Sequence, residues 1–104
     1  MAETRIFALF NLKNGVDVQR YEDWAKATDI PSVNAMASVN AFEVHRTEGL
    51  LTGEGRPPYA YIETIDVNDM DLFFQEVSTE AAQKVAGEFQ SMVDVTFLIT
   101  SKLG

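Results

Sequence analysis

Cysteine is absent from the 104 residues, so disulfides, thiolate nucleophiles, iron–sulfur clusters and thiolate-held zinc are all excluded. The single histidine, His45, cannot supply a multi-histidine metal site, and no Asp/Glu spacing matches a metal-binding loop. The expectation is a protein with no metal and no cofactor. Basic side chains are scarce. Eight Lys and Arg face sixteen Asp and Glu, and the resulting net charge of −8 repels phosphate backbones and anionic lipid surfaces. Neither nucleic acid nor a membrane is an expected partner. No apolar run approaches the roughly 20 residues of a membrane span, and Ile6–Phe10 is too short for a signal-peptide core, which reads as a cytoplasmic protein. Gly-x-Gly-x-x-Gly, Gly-x-x-x-x-Gly-Lys-Ser/Thr and Gly-x-Ser-x-Gly are all missing, removing the usual phosphate cradles and the serine nucleophile elbow.

What remains is ordinary globular material, 46% hydrophobic and 23% charged, enough for one domain over residues 1–104. Thr4–Leu12 is rich in Ile, Phe and Leu and stops at the turn signal Lys13-Asn14-Gly15, as a first strand would. After Asp17, a helix cap, the residues Val18, Tyr21, Trp24, Ala25 and Thr28 recur at helical spacing. Pro31 disfavours helical geometry at Ile30, so the helix is expected to end near Asp29 and Pro31–Ala37 to form a connector. Two strands follow, Ser38–Thr47 and Tyr59–Val67, around a loop holding Gly49, Gly53, Gly55 and Pro57-Pro58. Asn68 is the expected cap of a second helical region that breaks near Ser78 and restarts after Thr79, and Asp94–Ser101 is the last strand.

The order βαββαβ is that of the α+β ferredoxin-like fold, a four-stranded antiparallel sheet with helices on one face. Its strands carry apolar residues in both alternation registers: Phe7 and Leu9 against Ile6, Ala8 and Phe10; Val95, Phe97 and Ile99 against Leu98. Both sheet faces therefore seek burial, and a homodimer packed sheet on sheet supplies it.

The polar minority on apolar elements marks a candidate site. Trp24 lies on the helical stripe, Asn34 follows Pro31, Arg46 is in register with Phe42 and Val44, and Tyr61 is in register with Glu63. Converging between helices and sheet, they would line a cavity for a flat, apolar small molecule; Trp24 and Tyr61 as plain core aromatics are the bland alternative. His45, with Glu43 two residues away on the same side of its strand, is either a general base or a solvated strand histidine. The acidic set Asp66, Asp69, Asp71, Glu76 and Glu80 reads as a solvated helix face before it reads as a docking surface.

The chain resembles the dimeric α+β barrel superfamily, and within it the HapK/RedY-like family. That resemblance is carried by Ile30-Pro31-Ser32-Val33-Asn34-Ala35-Met36, Ser38-Val39, Phe42 to Arg46 and Pro58 to Glu63. It implies a role in prodiginine-like pigment biosynthesis, on an aromatic or pyrrolic intermediate of secondary metabolism. The protein would be either a cofactor-free enzyme of proton transfer, cyclisation or oxygenation, or a non-catalytic carrier. EthD-like relatives have a helix-one tryptophan followed by histidine-x-proline; here Trp24 is followed by Asp29-Ile30-Pro31, so a carboxylate stands where the histidine would be. The expected roles are Asp29 or His45 as base, Arg46 against developing negative charge, and Trp24, Asn34, Tyr61 and Glu63 around the ligand. Haem-degrading relatives are similar in fold, but His45 lies on the second strand, away from a proximal-ligand position.

Overall fold

The computed structural model describes residues 4–104. Strand β1 (Thr4–Leu12) buries Ile6, Ala8 and Phe10 on one side and leaves Phe7 and Leu9 on the other, as a period of two requires. The chain reverses at Gly15, whose φ of 87° suits a residue without a Cβ. Asp17 then caps α1 (Val18–Trp24) by accepting from the Gln19 N–H.

The helix does not stop at Asp29. Ala25–Asp29 continues it as a π-helical stretch, and α2 (Ile30–Asn34) follows directly with Pro31 in its first turn. Proline conflicts with the carbonyl four residues back. Here the Ile30 N–H reaches five residues back to the Ala25 carbonyl, and Pro31 enters on this wider turn at a helix start, where no N–H is missed. The expected connector shrinks to the residues after Asn34.

Strands β2 (Val39–Arg46) and β3 (Tyr61–Val67) pair antiparallel, with an irregularity between Val39 and Ala41. The cap of α3 (Met70–Val77) is Asp69, not Asn68, whose side chain instead binds the Ala37 carbonyl and Asn40. The break at Ser78 is present, and Thr79 caps α4 (Glu80–Met92) by accepting from Ala82 N–H at 3.2 Å. Strand β4 (Val93–Ser101) completes an antiparallel sheet in the order β2-β3-β1-β4, the ferredoxin-like arrangement.

All helices cover one face. The core beneath them has two parts: Phe10, Tyr21, Tyr61 and Phe89 at one end, and Ile6, Phe42, Ile65 and Val67 at the other. Across the sheet between them runs the row Val44, Glu63, Ala8 and Phe97. The opposite face presents Phe7, Leu9, Ile62 and Leu98, and the molecule is a slab of 40 × 35 × 18 Å.

Candidate functional site

A cavity of about 510 Å³ lies between the sheet and the helices, in the size range of small-molecule sites. Met36 after α2, Phe73 and Val77 of α3 and Val85 and Phe89 of α4 form apolar walls. The two buried carboxylic residues on it, Asp29 and Glu63, are 6% and 3% exposed. Each is delivered by a definite local cause. Glu63 takes its place in the inward alternation of β3, opposite Ala8, which lacks the bulk to fill the space above it. Asp29 closes the π-helical stretch, which inserts an extra residue per turn and resets the face that the following residues present.

The two carboxyl groups lie within hydrogen-bonding reach of each other, and a bond between them requires a proton on one of them. Burial pushes Glu63 well above the usual carboxyl range, and the neighbouring Asp29 charge and hydrogen bond push it the same way. Burial raises Asp29 also, opposed by its hydrogen bond to Glu63. No N–H or hydroxyl donor reaches Glu63 Oε2 among the described residues. Behind the pair, the hydroxyl of fully buried Tyr21 has no hydrogen-bond partner among the described residues and is held protonated by burial, then by the charges of Glu63 and Asp29. This is an acid and a base in contact on an apolar wall, the arrangement that proton transfer needs.

The residues singled out from the sequence are distributed more widely than expected. Trp24 is outside the cavity: its ring stacks on Phe89 at 6.2 Å and its Nε1–H donates to Glu88 at 3.2 Å. Asn34 is a clamp, donating to the Phe42 carbonyl and accepting from the Phe42 N–H, both at 3.0 Å. Tyr61 is buried against Phe10 with its hydroxyl 2.8 Å from Glu22, and Arg46 reaches the same carboxylate at 2.8 Å. Tyr61 and then Arg46, by donating to it, hold Glu22 below the usual carboxyl range, while burial and Glu22 push Tyr61 up to about 12. Trp24, Asn34, Arg46 and Tyr61 thus do not line one pocket; tertiary hydrogen bonds use each of their polar ends elsewhere. His45 and Glu43 are exposed on the sheet face away from the cavity, because β2 turns Phe42 and Val44 inward. Asp29 and Glu63 do meet. The family resemblance implied both residues at the ligand site, Asp29 as base and Glu63 beside the ligand; that they pair with each other was not legible, because a lone strand glutamate and a helix-end aspartate carry no joint signal.

Among the described residues no cluster of three or more His, Asp or Glu could hold a metal, and no helix is long and apolar enough to cross a membrane.

The sequence profile described as REDY-like protein HapK matches residues 4–103. The chain belongs to the HapK family. HapK from Hahella chejuensis is similar over 97% of this chain and 93% of its own, at 24% identity and a TM-score of 0.78. A dimeric ferredoxin-like protein of unknown function from Thermobifida fusca is 17% identical over 97% of this chain and 92% of its own, at 0.73. A variant of SnoaB, a cofactor-independent oxygenase from Streptomyces nogalater, is 10% identical over 100% and 96%, at 0.78. At these identities the solved structures establish the fold that HapK-family members share with a wider set of proteins. No curated protein matches the chain.

Proposed function

We propose that this HapK-family protein binds a flat aromatic or pyrrolic intermediate of secondary metabolism in the 510 Å³ cavity and moves a proton on it through Asp29 and Glu63, without a cofactor. One observation carries the reading: two buried carboxylic residues in hydrogen-bond contact on an otherwise apolar wall. A pure carrier has no use for them, since burying such groups costs stability that an apolar pair would not cost. With the ligand bound, a carboxylate of the pair accepts a proton from it, and the carboxylic acid so formed returns that proton to an electron-rich ring carbon or a carbonyl of the same ligand. The substrate class follows from the prodiginine-like pathway expected for the family, and the reaction class from the pair.

The working unit in this proposal is a homodimer closed through the uncovered sheet face. The surface area is 6917 Å², against about 5,800 Å² for a compact monomer of this mass. A surplus of roughly 1,100 Å² exceeds the about 800 Å² per partner that a standard interface removes.

The test is deuterium exchange at the ring carbons of a bipyrrole carbaldehyde in D₂O, with binding followed by the fluorescence of Trp24, which stacks on the cavity residue Phe89. The protein should accelerate exchange about 10²- to 10⁴-fold, and Asp29→Asn or Glu63→Gln should remove the acceleration while retaining binding. Saturable binding with exchange unchanged in both variants rejects the catalytic reading; no binding rejects the cavity.

A further inference from the structure

Among the described residues every charged side chain on the cavity is acidic: Asp29, Glu63 and Glu76. Glu76 already accepts from the Ala37 and Ser38 N–H groups at 2.8 and 2.9 Å, which leaves its charge engaged by the backbone. Among the described residues no Lys or Arg lines the cavity. Arg46, the cation expected there, is held at the surface by Glu22 and Glu48. Glu63 Oε2, on a residue 3% exposed, meets no N–H or hydroxyl among the described residues, so the Glu63 carboxyl is answered only by Asp29.

Three ligand charges can be compared. An anion would enter beside three carboxylic residues with nothing to offset it, a repulsion that low dielectric amplifies. A neutral ring can offer an N–H but no charge, and so leaves the shared proton in place. A cation with an N–H edge supplies both missing elements, a donor for Oε2 and a positive charge that lets both carboxyls ionise.

We infer that the cavity takes its ligand as a flat aromatic cation, with an N–H edge turned to Asp29 and Glu63, and that binding expels the proton the two carboxyls otherwise share. This rests on the cavity being the ligand site and adds the charge state that it selects. Around the pair, α1 contributes Tyr21 and, farther out, Glu22, β3 contributes Tyr61, and α3 contributes Glu76; the facing residues of α4 and β4, Phe89 and Phe97, do not titrate. None of these supplies a positive charge, so the proton leaves to solvent. Cation affinity should then rise with pH through the range in which the pair loses its proton.

The test uses three probes of one shape: proflavine, a cation at neutral pH; acridine, neutral there; and acridine carboxylate, an anion. Calorimetric titration in two buffers of different ionisation enthalpy reads affinity and proton count together. Proflavine should bind roughly tenfold to a hundredfold tighter than acridine, and release close to one proton, with acridine carboxylate weakest. Glu63→Gln removes a charge and should keep acridine binding while losing the cation preference and the proton release. Acridine or its carboxylate binding as tightly as proflavine, or proflavine binding without proton release, overturns this inference and leaves the cavity standing. Failure of all three probes to bind overturns both.

Discussion

Asn34 at the end of α2 pairs with Phe42 of β2 as one strand pairs with another: its Nδ2–H donates to the Phe42 carbonyl and its Oδ1 accepts from the Phe42 N–H, each at 3.0 Å. A second donation, from Nδ2 to the Ile30 carbonyl at 2.9 Å, ties the amide to its own helix. The side chain joins the helix that follows Asp29 to a β2 residue on the cavity wall, Phe42.

Asn34→Ala is therefore expected to lower stability by about 2–3 kcal/mol, two part-buried hydrogen bonds at roughly 1 kcal/mol each plus the cost of stranded backbone groups. Urea melts measure this. Asn34→Asp should recover only part, since a carboxylate accepts from the Phe42 N–H but cannot donate to its carbonyl. A loss below about 0.5 kcal/mol for Asn34→Ala would mean that the clamp is not formed in solution.

Stability should also carry the signature of the raised carboxyls. Asp29 and Glu63 are both pushed up in the folded chain, so above about pH 4 it holds a proton that the unfolded chain has released. Their stabilising contribution is complete below the ordinary carboxyl range and drains away as pH rises through the raised values. Glu63→Gln stays neutral throughout. Its melting temperature should fall less than the parent's between pH 5 and pH 9, and should exceed the parent's at the alkaline end. Parallel melting curves for the two proteins across that range would show that the pair does not share a proton.

A third expectation concerns assembly. The row His45, Ile62, Leu9 and Thr96 crosses the uncovered face of the sheet beside Glu43, Thr64, Phe7 and Leu98. Sedimentation of the parent should give about twice the 11.6 kDa chain mass, with an interface of roughly 1,200 Å² or more. Leu9→Glu places a charge in the middle of that face and should yield a monomer with unchanged helix content. A monomeric parent at micromolar concentration, or a Leu9→Glu variant that still dimerises, removes the sheet-on-sheet arrangement.

The order of the elements is legible in the chain, because alternation and helical spacing are local: β1, β4, the Ser78 break and the Thr79 cap lie where their own residues put them. The sequence also removed thiol chemistry and any multi-histidine metal site. Where two distant segments had to meet, only the folded chain decided. Pro31 signals a helix end in isolation, yet the π-helical stretch before it absorbs the conflict. Trp24, Asn34, Arg46 and Tyr61 have the residue types of a binding site, but hydrogen bonds to Glu88, Phe42 and Glu22 hold their polar ends away from the cavity. Asp29 and Glu63 are 34 positions apart, and neither is unusual in its own segment. Their raised affinity for a proton comes from burial and from each other, two properties of three-dimensional packing that no spacing along the chain encodes.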